Sequence, residues 1–559
     1  MANVSAAEPM KQIRVPRHPW LTGVTIAIVA LALLPLASLL VLAVGGGTDD
    51  LPYLAGTVLP QSALVTAQVM LLVAVFTGSI GVVCAWLVIS FDFPFRRTLS
   101  WMLVLPVAMP AYIASYSFVE FLHFAGPLQS AIRALFNFKT NADYWFPDVR
   151  SVWGAGFILS AVLYPYVYLS TRVVFLMQGR NTADVARSLG ASQLRVFTKV
   201  LLPMARPAIV AGVALALMET LNDIGAVEYL GVRTLTFSVY NTWLSRGSLG
   251  GAAQLAVIMM VIVFALLAVE AHARRQLRFS GSRSANFSSR PARQRLTGVS
   301  AIAASIACMM PVMIGFGIPF AILLRFALKR LDQLLAPEFH AALGNSLMTG
   351  TLTAAVTVSI SLFLVHASRM QRLRLMPLVT RLASMGYALP GTILAIGLVF
   401  AFGGADRLVN GVMRSLSLPA PGLVFSGTIL AVVLAASIRF LAVADSGLHS
   451  GLHKLPPNID HAARNLGRSP RQATMQVTLP LLRPAILTSV VLVFVDTMKE
   501  LPATILLRPI GFNTLATLVY ENASRAAVED GAAAALSIVL VSLVPVMILS
   551  RALSTDRQA

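Results

Sequence analysis

Long apolar runs separated by short polar stretches cover most of the chain. Residues 20–44, 64–89, 157–177, 252–269 and 533–549 are clear examples. An apolar run of about 18 or more residues can span a bilayer as a helix. The pattern predicts an all-α polytopic membrane protein with about twelve spans, six in each half. We place them near 20–45, 61–90, 99–123, 152–178, 204–229, 252–272, 299–326, 343–368, 376–403, 421–444, 481–506 and 531–551. Proline or charge interrupts the third, ninth and eleventh.

One polar pattern occurs twice. "ARSLGASQLRVFTKVLLPMARPAIV" begins at Ala186 and "ARNLGRSPRQATMQVTLPLLRPAIL" begins at Ala463, 277 residues later. The same offset relates Gly190 to Gly467, Pro203 to Pro480 and Pro207 to Pro484. Solubility in lipid explains neither the spacing nor the repetition. Each copy reads as a short helix, a break and a second helix. Asp184 and Asp460 lie near helix starts, where negative charge suits the positive end of the helix. Gly190 and Gly467 are placed to end the first helix in a left-handed conformation. Pro203 and Pro480 begin the next span, where a first-turn proline is tolerated. A loop of about 25 residues with its own helices is longer than a bundle needs, which points to a docking surface for a soluble partner.

Composition agrees. Apolar residues make up 57% and charged residues 12% of the chain, against about 25% charged in a soluble domain. The net charge of +20 does not indicate nucleic acid, because basic residues of membrane proteins gather in cytoplasmic loops. With the N-terminus inside, the cytoplasmic segments hold 25 basic residues and the outer loops 10. Both termini and both repeated segments then face the cytoplasm. The Arg- and Ser-rich stretch 273–297 is a solvated linker between halves. Cys84 and Cys308 lie in apolar runs and suit buried small side chains. His449 and His453 are four apart but lack a third metal ligand.

Two further matched pairs lie inside spans. Glu219 and Asp223 in the fifth correspond to Asp496 and Glu500 in the eleventh, again 277 residues on. Residues four apart share a helix face. Pro203 to Glu219 is about 24 Å of helical rise, so the carboxylates lie towards the outer half of the bilayer. Such groups face a bundle interior or a watery path. They form either the lining of a translocation path suited to a cation or a structural network with Lys499, Arg508 or Arg439. Pro110 and Pro390 interrupt the third and ninth spans, as a kink or as part of a gate.

The repeated segments resemble the EAA motif, the coupling loop of permease subunits of binding-protein-dependent ABC importers. The resemblance implies two tandem six-helix type I permease domains: a tail 1–19, a first domain 20–272 with coupling loop 180–203, a linker 273–297, a second domain 298–552 with coupling loop 454–480, and a tail 553–559. It implies coupling residues Asp184, Ala186, Arg187, Gly190 and Pro203, with His461, Ala463, Arg464, Gly467 and Pro480 in the second copy. The leading Glu of the motif is Asp184 in one copy and His461 in the other, and Val185 replaces an Ala. No G-x-x-x-x-G-K-[ST] loop occurs, so the chain is expected to be no enzyme and to bind no cofactor. ATP and Mg would sit on two copies of a separate ATP-binding subunit. The other expected partners are a periplasmic binding protein and the lipid of a bacterial inner membrane; no nucleic acid is expected. "VDTMKELPATILLRPIGFNTLAT" at 495–517 and "METLNDIGAVEYLGVRTLTFSVYNTW" at 218–243 resemble the ferric-iron permeases, which implies Fe(III) as cargo. Thiamine, polyamine and phosphonate permeases are related alternatives. An ion-coupled secondary transporter is the alternative of a different class, since its halves also repeat.

Overall fold

The computed structural model describes residues 19–45, 51–177, 185–279, 293–370, 382–383, 386, 389–453, 455, 459, 463 and 465–554. Eleven helices among them are long and apolar enough to cross a bilayer, and a bent pair makes a twelfth. The bent pair, Arg96–Ala108 and Ala111–Phe136, turns through 97°. Met109 and Pro110 make the turn in extended backbone, as expected where a proline disfavours helix in the residue before it.

Several span edges differ from the sequence pattern, each for a local reason. The fifth span runs over Gln193–Asn222 and stops; Ile224–Tyr229 is a separate short helix. The eleventh runs over Thr474–Met498, and Pro502–Leu507 is likewise separate. The ninth begins only at Gly391, after Pro390, and runs to Ser415. The tenth begins at Ile429 and not near 421. Apolar residues 421–428 are diverted because the buried Asp406 carboxylate accepts from the backbone N–H groups of Val424, Phe425 and Ser426 at 2.9–3.0 Å.

Pro203 and Pro480 do not start their spans; each lies within a longer helical rod. A proline has no N–H for the carbonyl four residues back, and its ring crowds that carbonyl. The chain answers by widening the turn. Leu202 N–H donates to Phe197 O and Leu479 N–H to Thr474 O, five residues back, one residue before each proline. The same widened turn precedes Pro60 and Pro319.

Each half lends its first helix to the other. Pro19–Gly45 lies along Gly391–Ser415 of the second half, where Ser38 Oγ donates to Gly397 O at 2.6 Å. The rod Gly298–Lys329 lies on the first half, where Ser305 Oγ donates to Pro94 O and Cys84 Sγ reaches Ala307 O. After the linker, Gln294–Arg295 pairs as a short parallel strand with Phe91–Asp92. A single core cluster joins Ile113, Leu159 and Ile224 of the first half to Leu501, Leu515 and Ile538 of the second.

The first crossing has no space at Gly397, where a Cβ would collide with the Pro35 carbonyl. Gly397→Ala is expected to cost about 1–3 kcal/mol and to lower the unfolding temperature of the chain in lipid nanodiscs. Gly411→Ala on the same helix meets nothing within 4 Å and is expected to be neutral or mildly stabilising. Equal melting of the two variants would contradict the crossing.

Candidate functional site

If every span crosses once, both repeated segments lie on the same side of the bundle, six spans apart. Their described parts match closely. Gly190 has φ +85° and Gly467 φ +82°, both left-handed, which a Cβ disfavours. Ala191 N–H donates to Ala186 O, and Arg468 N–H to Ala463 O, the closing bond of a Schellman cap in each copy. Ser192 Oγ then accepts from Arg195 N–H, and Ser469 Oγ from Gln472 N–H, starting the second helix. Asp184, His461 and Arg464 lie outside the described residues.

The structure adds a feature that the motif alone did not single out. Leu189 and Leu466, one residue before each glycine, are 82% and 83% exposed. They occupy matched positions on polar loops outside the apolar spans, so lipid does not explain them. Singly exposed leucines are ordinary; these two stand at equivalent positions of a repeated segment.

The second constellation is a cavity of about 280 Å³ between the halves, and all four matched carboxylates line it. Glu219 and Asp223 come from the end of the fifth span, Asp496 and Glu500 from the end of the eleventh. Pro110 lies on the wall, and Pro390 caps the neighbouring helix Gly391–Ser415. Both broken helices owe their shape to these acids. Asp223 Oδ1 accepts from Ala226 N–H at 2.7 Å, capping Ile224–Tyr229. Glu500 Oε1 accepts from Ala503 N–H at 2.9 Å, and Oε2 accepts from Thr504 N–H at 2.9 Å and its Oγ1 at 2.6 Å.

Two cations share the cavity, each with a close acidic partner. Arg439 Nη1 lies 2.7 Å from Glu500 Oε1, both side chains buried. Lys499 Nζ lies 2.9 Å from Asp496 Oδ1. Arg508 is not in this group; it pairs with Glu521 at 2.6 Å. With every group ionised, four carboxylates face two cations and the lining is negative. The halves also meet here directly, since Asn222 Oδ1 accepts from Gly391 N–H at 2.8 Å and caps the ninth span from across the seam. On the loop side, His449 Nε2 stands 3.5 Å from Asp445 Oδ1.

Known proteins resemble this chain in sequence. The family described as binding-protein-dependent transport system inner membrane component matches twice, at residues 77–279 and 358–557. An Fe(3+)-transport system permease protein of Haemophilus influenzae is 25% identical over 499 residues, 88% of this chain and 90% of its own length. A sulfate transport system permease protein of Salmonella typhimurium is 29% identical over 167 residues, 30% of this chain and 57% of its own. A molybdenum transport system permease protein of Escherichia coli is 26% identical over 217 residues, 37% of this chain and 90% of its own. Two family matches, two copies of one loop geometry and eleven to twelve candidate spans agree: this chain belongs to the inner membrane components of binding-protein-dependent transport systems and is a multi-pass ABC importer permease with two permease domains in one polypeptide.

Proposed function

We propose that this permease imports ferric iron. The composition of the lining between the halves carries the reading: four carboxylates, Glu219, Asp223, Asp496 and Glu500, against two cations, Arg439 and Lys499, favour a cation over an oxyanion. The likeness to the Haemophilus Fe(3+) permease along nearly the whole chain supports the same cargo.

In this reading a periplasmic binding protein delivers the ion, and two ATP-binding subunits, which hold ATP and Mg, dock on 180–203 and 454–480. Both termini face the cytoplasm. Ala186, Arg187, Gly190 and Pro203, with Ala463, Gly467 and Pro480, shape the docking loops, joined by Asp184, His461 and Arg464. Closure of the ATPase pair pushes two rigid rods that begin at the loops and end at the cavity carboxylates. A ligand shifts such an equilibrium only by binding one state better than the other. Glu219, Asp223, Asp496 and Glu500, beside Pro110 and Pro390, would meet cargo in one state and lose it in the other.

Uptake into vesicles holding the permease, its ATPase and its binding protein tests the cargo. ATP-dependent accumulation of radioactive Fe(III) is expected, with none of sulfate or molybdate. Oxyanion uptake without iron uptake would overturn the assignment, and uptake driven by an ion gradient without ATP would favour a secondary carrier.

A further inference from the structure

On the face opposite the docking loops, the halves meet at a pair of equivalent tyrosines. Tyr240 lies on Leu235–Leu244 and Tyr520 on Leu515–Ser524; they are 280 residues apart, as are the capping residues Thr234 and Thr514. Tyr240 Oη and Tyr520 Oη are 3.2 Å apart. Tyr520 Oη donates to Glu228 Oε2 at 2.7 Å. All three side chains are half-buried. Glu228 breaks the symmetry, since Ile505 and Arg508 stand 277 and 280 residues on.

A second observation connects this cluster to the cavity. Tyr116 is 2% exposed and its hydroxyl has no hydrogen-bond partner. It lies within electrostatic reach of Asp223 on one side and of Glu228 and Tyr520 on the other. Its ring packs edge-on against Tyr229 at 4.5 Å and Tyr112 at 5.8 Å. Tyr112, on the cavity wall, also buries an unpartnered hydroxyl, within reach of Asp223 and Glu500. Buried hydroxyls are nearly always bonded; among the described residues these two have no partner, and their rings stand in consecutive contact from the cavity wall to Tyr229.

We propose that Tyr240, Tyr520 and Glu228 form an outer-face oxygen-donor site for a hard, highly charged metal cation, from which Tyr116 and Tyr112 lead to the cavity. The cation class rests on the iron reading above. Hard cations take oxygen ligands, and oxygens bound at about 2.0 Å to a small octahedral ion stand about 2.8 Å apart along an edge. The observed 2.7 and 3.2 Å spacings lie close to two edges of that shell. The neighbouring Arg508 is neutralised by Glu521, and Arg150 is drawn aside onto the Tyr229 ring. In the structure the hydrogen bonds Tyr240–Tyr520–Glu228 cross the seam between the halves; a bound cation takes their place and bridges the same two halves.

Tb3+ alone is the probe, because nearby tyrosines sensitise its emission. The full chain in lipid nanodiscs is expected to give saturable tyrosine-sensitised emission. Glu228→Gln should weaken it by about tenfold, since each lost charge lowers the affinity of an oxygen site. Tyr240→Phe with Tyr520→Phe should remove most of it, while Glu228→Asp should retain it. The phenylalanines keep the rings that pack here, and the aspartate separates loss of charge from loss of fold. Equal emission from the wild type and all variants would overturn the site, as would a Glu228→Asp that behaves like Glu228→Gln. Neither result touches the iron reading, which fails on the uptake measurement alone.

Discussion

Replacing Leu189 and Leu466 together by aspartate is expected to abolish ATP-driven uptake while the chain still folds. Both side chains are more than four-fifths exposed, so neither supports the fold. Both precede a left-handed glycine that closes a Schellman cap, so both project from a rigid corner. A buried anchor at an interface is worth about 2 kcal/mol or more, roughly thirtyfold in affinity. In the docking proposed above each ATPase copy meets one loop, and a charge carried into such an interface also has a desolvation cost. Co-purification of the ATP-binding subunit should therefore fall at least thirtyfold at each altered loop. Single variants should leave one attachment, and Leu189→Asp and Leu466→Asp need not be equal, since the sequence has Asp184 at the head of one copy of the motif and His461 at the head of the other. These variants are cleaner than arginine at Gly190 and Gly467. At φ above +80° any side chain strains the loop itself, which would confuse loss of contact with loss of shape. Undiminished ATPase capture by the double leucine variant would remove the docking role of these corners.

The repeat made much of this legible in advance. A 277-residue offset predicted that Gly190 and Gly467 share a conformation, and their φ angles agree within a few degrees. It also predicted that four carboxylates lie at one depth, and one cavity collects them. Helix continuity was less legible. Nothing apolar changes at Asn222, yet the span ends there because Asp223 turns its carboxylate to the next N–H groups. Pro203 misled in the other direction: proline suggests a start, but a single widened turn carries the helix through it. Contacts between halves were out of reach. That Pro19–Gly45 packs on the second half depends on Gly397 having no side chain, and hydropathy does not report which helix lies opposite a glycine. The exposed leucines were hidden for a related reason: in a chain this apolar, a leucine is informative only once its surroundings are known.

The four cavity carboxylates are expected to divide by function, and substitution should reveal the division. Glu500→Ala leaves Arg439 buried without its partner and strips the cap from Pro502–Leu507. Breaking a buried ion pair from one side costs about 3–5 kcal/mol, so this variant should melt far lower and be recovered poorly. Glu500→Gln keeps the shape and an acceptor oxygen and should fall between. Glu219→Gln is different. It caps no helix end, and its matched partner Asp496 is the one held by Lys499. Glu219→Gln keeps the shape of the side chain and an acceptor oxygen, so melting is expected to fall less than for Glu500→Ala, while iron uptake falls at least tenfold because the lining loses one of its four negative charges. Melting in nanodiscs and uptake in vesicles, measured on the same preparations, separate the cases. If Glu219→Gln destabilises the chain as strongly as Glu500→Ala, all four acids belong to one structural network and the path must lie elsewhere. If Glu219→Gln leaves both measurements unchanged, the negative cavity does not select the cargo, and the argument from charge to ferric iron loses its footing.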